Sequence, residues 1–215
     1  MLVSTWLTFL LFTRTGTNSI KYSTNCSFTK EDVLFDFTKQ SAVINDWIEV
    51  SDTQRDVGKS KGVLVEQKSE QFQRGVFFSL LNPQPNGAAF AGVAYRKKTF
   101  DLSSFSGLKL SVRAQGENYN YKVILRHHHE ESSLVPSYEV FFELPKNEMV
   151  QHYLPFKDFL PYSRGKALDP NTTQALDLKD VTSIGLQIYG GVYSTIKQHG
   201  TSSLEIDSIS AVTCE

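Results

Sequence analysis

The segment Gly107–Arg126, GLKLSVRAQGENYNYKVILR, decides the fold class. Apolar and polar residues alternate in its first half, which is the pattern of a β-strand with one buried face. The second half repeats the alternation, and Gln115–Asn118 between them is typical of a tight connection. One face of each strand carries Leu108, Leu110, Val112 and Ala114, then Tyr119, Tyr121, Val123 and Leu125; the other carries Lys109, Ser111 and Arg113, then Asn120, Lys122, Ile124 and Arg126.

Further short strands follow the same signals along the chain, and no stretch of ten or more residues carries a helical stripe. They are predicted at Val33–Phe37, Trp47–Val50, Gly62–Gln67, Arg74–Leu81, Ala89–Tyr95, Ser137–Leu144 and Val150–Pro155, around Ile184–Ile188 and around Leu204–Ile206. This pattern predicts an all-β fold, an antiparallel β-sandwich of the jelly-roll type, as a single domain over residues 20–215. Pro161–Lys179 is expected to be a long loop, where binding residues tend to lie. Core packing is the expected role of Trp47.

Composition excludes several classes of protein. The 215 residues carry 22 basic and 23 acidic side chains, a net charge of −1, so neither a basic nucleic-acid footprint nor a polybasic membrane patch is expected. A hydrophobic content of 40% is enough for a packed core. Two cysteines are too few for a four-thiolate zinc site or a disulfide-dense scaffold.

The first 19 residues resemble a cleaved leader. Leu2–Phe12 is largely apolar; it is shorter than the roughly 20 residues that span a bilayer but fits the apolar region of a signal peptide. Cleavage is expected near Gly16–Ser19, and the mature chain then carries no transmembrane segment. We therefore predict a secreted or secretory-pathway protein. Because no basic residue precedes the apolar run and Arg14 follows it, a mitochondrial leader remains the alternative.

The two cysteines and two sequons agree with secretion. Cys26 follows the leader and Cys214 is the penultimate residue, so a disulfide between them would close almost the whole mature chain if the termini meet. Two reduced thiols are the alternative. Sequons at Asn25 (NCS) and Asn171 (NTT) are predicted glycosylation sites.

No catalytic residue is predicted. Gly58–Gly62 has the spacing G-x-S-x-G around Ser60, but a nucleophile elbow needs a helix after the serine, and strand-forming residues follow here. Asp52 and Asp56 resemble a pair of acids for glycosidic chemistry, but they lie in a polar turn with no sign of a raised pKa. The chain is therefore expected not to be an enzyme.

No metal site or cofactor is predicted either. His127–His129 is the densest cluster of ligand-type side chains, and on a strand His127 and His129 would share a face. A zinc ion would also need a carboxylate and a third ligand such as His152. A solvated polar strand end is the preferred interpretation.

The order and spacing of several motifs resemble the complex I intermediate-associated protein 30 family, the assembly-factor family of mitochondrial NADH:ubiquinone oxidoreductase. The resemblance covers about residues 33–212. Its marks are Phe35-Asp36-Phe37, Asp46-Trp47, Gly87–Val93, Phe100–Arg126, Leu154–Pro170, Val181–Gly190 and Leu204–Val212. It implies a galactose-binding-like jelly roll without a catalytic centre, whose mitochondrial members bind assembling subunits of the respiratory complex. Family members carry a double glycine before a serine where this chain has Val57-Gly58-Lys59-Ser60, which implies a reshaped turn.

Two functional hypotheses follow. The first is a non-enzymatic module that binds protein partners as an assembly or chaperone-like factor in the secretory pathway; if the leader is mitochondrial, the partners are complex I intermediates. The second is an extracellular lectin-like module that binds glycan through loops at one end of the sandwich. For this second hypothesis Arg126, His127, His129 and Arg164 are the exposed candidates, because planar donors suit hydroxyl recognition. Solvated polar residues are the alternative interpretation of these four.

Overall fold

The computed structural model of the protein describes residues 21–22, 26–40, 42–129 and 135–215. Most of the described chain is β-strand. The strands are β1 (Lys21–Tyr22), β2 (Phe28–Asp36), β3 (Trp47–Glu49), β4 (Lys61–Lys68), β5 (Gln73–Leu81), β6 (Phe90–Tyr95), β7 (Gly107–Gly116), β8 (Asn120–His127), β9 (Ser137–Glu143), β10 (Val150–Pro155), β11 (Leu160–Ser163), β12 (Lys166–Ala167), β13 (Val181–Tyr189) and β14 (Gly200–Cys214). Short 3-10 helices lie at Ala42–Asp46, Asp52–Gln54 and Phe156–Asp158. No helix of the described chain has the length and apolarity needed to cross a membrane.

The strands form two sheets packed face to face around one apolar core. The first sheet has the order β1-β10-β7-β14-β5-β4, with β2 also paired to β14. The second has the order β12-β11-β9-β8-β13-β6-β3. Every strand pair of the described chain is antiparallel except β1 with β10. The predicted antiparallel sandwich is confirmed.

The strands β7 and β8, which the opening segment predicted, lie in different sheets. Leu108, Leu110 and Val112 of β7 are fully buried, and so is the apolar face of β8, so the predicted faces are correct. Gln115–Asn118 does not join a paired hairpin; it carries the chain from the first sheet to the second. Gly116 has a φ of +94° there, and a Cβ on it would lie 2.9 Å from the Ser202 Cα, so only glycine fits this crossing.

Aromatic side chains fill the end of the core beside β2 and β3. The Phe35 ring lies 5.1 Å from the Trp47 ring and 4.9 Å from the Tyr95 ring, both edge to face. Trp47 is buried, which confirms its predicted role in the core.

The two ends of the described chain meet at a disulfide bond. Cys26 and Cys214 are bonded with a Cα–Cα distance of 5.5 Å across a separation of 188 residues. Beside the bond, the backbone N–H of Glu215 donates to the carbonyl of Ser27 at 3.1 Å, and the N–H of Ser27 donates back to Glu215 at 3.3 Å. The predicted bridge is confirmed. The predicted leader, residues 1–19, and the sequon residue Asn25 lie outside the described residues.

The expectation of one long loop over Pro161–Lys179 is wrong at its start. Tyr162 pairs with Ala167 and Ser163 with Lys166, so β11 and β12 form a hairpin. Arg164 and Gly165 form its turn with φ values of 51° and 80°. Positive φ at both central positions is the geometry of a type I′ turn, which a sequence such as Arg-Gly signals only weakly. The rest of the stretch is turn and irregular backbone.

Candidate functional site

A cleft of about 720 Å³ lies on the outer face of the second sheet, on the side away from the core. Its floor is formed by outward-facing side chains of β6, β8, β9 and β13. One wall is the loop between β13 and β14, at Gly191–Thr195, and another is the β11–β12 turn at Arg164 and Gly165. This volume lies within the range of small-molecule sites, roughly 300 to 1,000 Å³.

Three aromatic side chains form a group across the cleft. The Phe141 ring of β9 lies 5.4 Å from the Tyr162 ring of β11 and 5.1 Å from the Tyr189 ring of β13. Phe141 is 40% exposed, although it lies in the middle of a strand. An exposed aromatic group on a rigid sheet offers apolar faces on which a flat ligand can stack.

A buried ion pair lies beside this aromatic group. The Lys122 Nζ lies 2.6 Å from Glu139 Oε2, and the Ser137 hydroxyl donates to Glu139 Oε1 at 2.8 Å. Both charged residues are more than nine-tenths buried and have little contact with water. Each charge is therefore stabilised by the other. The Lys122 ammonium also lies 5.4 Å from the centre of the Phe141 ring. Aromatic faces and fixed polar atoms therefore occur side by side.

The hydroxyls of Tyr162 and Tyr189 in the cleft are neutral. Burial, and then the nearby Glu139 carboxylate, raise the pKa of Tyr162. Burial, and then Tyr162 and Glu143, raise the pKa of Tyr189. Both phenols therefore keep their protons at neutral pH and can donate and accept hydrogen bonds.

Arginines line the same cleft. Arg126 pairs with Ser183 on β13 and lies four residues along β8 from Lys122. Arg96, Arg55 and Arg164 also line the cleft. The Arg55 guanidinium lies 5.4 Å from the centre of the Phe90 ring, and Arg126 donates to the Val135 carbonyl at 3.5 Å.

The centre of the floor is a glycine. A Cβ built on Gly185 would meet only ordinary contacts, with the nearest atom, the Val93 carbonyl oxygen, at 3.4 Å and the Ile124 and Ala94 side chains beyond it. The backbone there does not require glycine, so the missing side chain leaves space for a ligand.

The loop that forms one wall is fixed by a buried glutamine. Gln198 donates to the carbonyls of Asn120 at 2.9 Å and of Tyr189 at 3.0 Å, and it accepts the Asn120 N–H at 3.1 Å. The Tyr193 ring of this loop lies 3.7 Å from the position of a Cβ on Gly165, so the two walls approach each other over one side of the cleft.

The four residues predicted as ligand-binding divide into two groups. Arg126 and Arg164 line the cleft. His127 was expected to be exposed, which is wrong: it is buried, its Nδ1 accepts the Asp177 N–H at 2.8 Å, and its ring lies 5.2 Å from the Tyr138 ring. His129 is exposed, but its N–H donates to the Thr182 hydroxyl at 3.0 Å and it does not line the cleft.

The histidine cluster does not continue as a strand. His128 and His129 both have φ values of 55°, so β8 ends at His127 and the expected shared face of His127 and His129 does not form. His128 contacts Asp180, with its Nδ1 2.8 Å from Oδ2. The described residues contain no group of three or more side chains arranged to hold a metal ion.

The Ser60 motif forms a buried cluster of hydrogen bonds. The Ser60 hydroxyl donates to Asp52 Oδ2 and its N–H donates to Asp52 Oδ1, both at 2.8 Å. Within the predicted polar turn Asp52 is only 3% exposed, whereas Asp56 is exposed. A Cβ on Gly58 would lie 1.9 Å from the Asp52 carbonyl oxygen, which explains glycine in this turn.

The sequon at Asn171 lies in an exposed turn. Its backbone N–H and its side-chain amide both donate to Asp169 Oδ1, at 2.9 and 3.0 Å. The side chain is accessible to modification.

Sequence reasoning missed the aromatic group and the ion pair. Phe141 carried a signal, because it occupies an outward position between Val140 and Phe142, which are both buried. Tyr162 had none, since its strand was taken for a loop.

A scan against protein-family models matches the complex I intermediate-associated protein 30 (CIA30) family over residues 35–206. The chain belongs to this family. The matched region runs from β2 into β14 and includes every strand of the cleft. The family resemblance of the sequence motifs is thereby confirmed.

Solved structures with this fold include carbohydrate-binding modules. A family 11 module from Clostridium thermocellum, in complex with a β-1,3-1,4-mixed-linked tetrasaccharide, superposes with a TM-score of 0.60 at 14% identity over 85% of this chain and 95% of that one. The family 11 module of a cellulosomal cellulase from the same organism gives 0.61 at 13% identity, over 88% and 97%. An exo-β-agarase gives 0.51 at 11% identity, over 84% of this chain and 25% of that one. At these identities the likeness shows the sandwich fold of the CIA30 chain. No curated protein matches the sequence significantly.

Proposed function

We propose that this CIA30-family chain is a non-enzymatic module that binds a saccharide in the cleft. The observation that carries the proposal is the aromatic group of Phe141, Tyr162 and Tyr189 beside the fixed Lys122–Glu139 pair. A sugar ring has an apolar face that stacks on an aromatic ring and hydroxyls that need donors and acceptors at set positions. The cleft supplies both on rigid strands.

The absence of catalysis is part of this proposal. Ser60 is tied to a buried carboxylate and not to a histidine, so it lacks the base that a serine nucleophile needs. The Glu139 oxygens accept from Lys122 and Ser137, which favours a structural role for this carboxylate in the cleft.

The test is a glycan array with two variants. Gly185→Phe places a ring on the floor of the cleft without removing a polar group, whereas Phe78→Ser changes an exposed residue on the outer face of the first sheet. We expect the wild type and Phe78→Ser to bind the same glycans and Gly185→Phe to bind none. Equal binding by all three proteins would place the glycan elsewhere, and an array with no binding would reject the proposal.

A second candidate function is docking of a protein partner on the first sheet, as an assembly or chaperone-like factor. Val63, Phe78 and Leu80 are 51%, 50% and 43% exposed on neighbouring strands and line a second, shallower depression. Clustered exposed apolar side chains favour contact with a protein surface. If the chain is mitochondrial, the family name indicates complex I intermediates as the partners.

A client-aggregation assay tests this second candidate. The protein is expected to slow the aggregation of a heat-denatured client, and the double variant Phe78→Ser/Leu80→Ser is expected to lose the effect while keeping its stability. Activity that survives the double variant but not Gly185→Phe would assign protein binding to the cleft.

We propose that the protein is located in the secretory pathway. The Cys26–Cys214 disulfide supports this location, because such bonds persist in oxidising compartments. The apolar run of the leader supports it as well. A mitochondrial location is the alternative, and the fate of a C-terminally tagged protein in cells separates the two.

A further inference from the structure

The charges along the cleft are unbalanced. Among its described lining residues, one side chain is acidic, Glu139, and it is already paired with Lys122. The remaining charged lining residues are all arginines: Arg55, Arg96, Arg126 and Arg164. This contrasts with the whole chain, which carries nearly equal numbers of basic and acidic residues.

Two of these arginines are exposed at opposite rims. Arg164 lies in the β11–β12 turn, and Arg55 lies just after the 3-10 helix Asp52–Gln54, beside Phe90 of β6. Both are exposed, and neither forms an ion pair with a described carboxylate. Their guanidinium groups are therefore open to an incoming ligand from two sides.

A guanidinium group favours anions over neutral hydroxyls. Its fork of N–H donors matches the two oxygens of a carboxylate or of a sulfate, and the charge-assisted bonds are about twice as strong as neutral ones. A neutral glycan would form no ion pair with the arginines at the two rims. An anionic glycan would pair with these arginines while its sugar rings contact the aromatic group.

We infer that the cleft selects a glycan carrying carboxylate or sulfate groups over a neutral one. This inference rests on the proposed saccharide site and specifies its substrate class. Phe141, Tyr162 and Tyr189 hold the sugar rings, and Arg55 and Arg164 bind the anionic substituents at the rims.

The variants for the test keep the backbone intact. Arg164→Asn suits the turn, because asparagine tolerates positive φ better than most residues. Arg55→Gln removes the second rim charge. Lys68→Gln/Lys157→Gln is the control, since it removes the same charge from exposed sites that do not line the cleft. Gly185→Phe blocks the floor.

Calorimetry with three hexasaccharides tests the inference: oligogalacturonate, a sulfated galactan and a neutral mixed-linked β-glucan. We expect an anionic probe to bind more tightly than the neutral one. Its binding should be weaker at about 300 mM than at about 50 mM NaCl, because salt screens the attraction between exposed charges. The double variant Arg164→Asn/Arg55→Gln should lower the affinity for the anionic probe by roughly ten-fold and the affinity for the neutral probe by less than about two-fold. The lysine control should resemble the wild type. Whether galacturonate or the sulfated probe binds more tightly identifies the anion.

Three results would overturn the inference. If the neutral glucan binds as tightly as both anionic probes, and Gly185→Phe loses this binding, selection of anions is contradicted. The saccharide site itself is then still supported. Anion binding that survives Gly185→Phe but falls in the lysine control would assign it to general surface charge. Failure of all three probes to bind would contradict both this inference and the proposed function.

Discussion

Asp52 accepts two hydrogen bonds from Ser60, one from its hydroxyl and one from its backbone N–H, each at 2.8 Å. The same carboxylate accepts the Phe90 N–H at 3.3 Å, and the Ser60 oxygen accepts the Asn82 N–H at 3.1 Å. The pair thus joins the turn before β4 to the end of β5 and the start of β6. The hydrogen bonds of Asp52 and Ser60 therefore hold the backbone beside Phe90, which lines the cleft.

Removing this carboxylate should destabilise the protein strongly. We expect Asp52→Ala to lower the free energy of unfolding by about 2 to 4 kcal/mol, because it leaves buried donors without acceptors. Ser60→Ala should cost about 1 to 2 kcal/mol. The control Asp56→Ala, at an exposed position, should stay within about 0.5 kcal/mol of the wild type. Urea denaturation measures all three. A Ser60→Ala variant of unchanged stability that loses a hydrolytic activity would contradict this role.

The disulfide should contribute a large part of the stability. It closes a loop of nearly the whole described chain, with a sequence separation of 188, and the chain-entropy model assigns such a loop about 5 kcal/mol before native-state strain. We expect Cys26→Ser/Cys214→Ser to lower the free energy of unfolding by about 2 to 5 kcal/mol. Urea unfolding of this variant, compared with the oxidised wild type, measures the loss. A loss below about 1 kcal/mol would mean that the backbone bonds between Ser27 and Glu215 hold the ends without the bridge.

Acidification should weaken the fold through His152. Burial lowers the pKa of His152, and its Nδ1 is buried without a hydrogen-bond partner among the described residues. Below pH 6.5 the unfolded chain therefore binds a proton that the folded chain does not, so stability falls as the pH falls, by at most about 1.4 kcal/mol per pH unit. We expect the drop between pH 7.5 and pH 5.5 to be smaller in His152→Phe, which also keeps the ring contact with Phe142. An equal drop in both proteins would exclude His152; His199→Gln, at an exposed site, is the control.

The mass of the natively expressed protein should report its compartment. We expect a chain cleaved near Gly16–Ser19, with oxidised cysteines and with glycans on Asn25 and on Asn171, the latter in an exposed turn. Intact-mass spectrometry before and after glycosidase treatment measures these features together. Asn171→Gln should lose one glycan, and Asn25→Gln should lose the other. A chain without glycan that carries a mitochondrial cleavage point would contradict the secretory assignment.

The alternation of apolar and polar residues along the sequence predicted many of the strands and their buried faces. Leu108, Leu110 and Val112 predicted the inner face of β7, since side chains on a strand point alternately to opposite sides. The pairing was not readable: the short turn after β7 suggested a neighbouring strand, but it crosses to the other sheet. Local sequence fixes faces, whereas partners depend on contacts far along the chain.

The cleft was only partly readable for the same reason. Arg126 lines the cleft, as its position on the polar face of β8 allows, and its role in ligand binding stays a prediction. The same alternation places His127 on the buried face, so its predicted exposure contradicted the strand pattern itself. The aromatic group could not be predicted, because Phe141, Tyr162 and Tyr189 come from three strands and meet only through the order of the sheet.

The most direct test of the saccharide site is a titration of isotope-labelled protein followed by nuclear magnetic resonance. With the oligogalacturonate hexamer, and in parallel the neutral mixed-linked glucan, we expect shift changes confined to residues of the cleft such as Phe141, Tyr162, Gly185 and Tyr189. The signals of Val63, Phe78 and Leu80 on the opposite sheet should stay unchanged. Changes confined to that opposite sheet, or none with either sugar, would contradict the account.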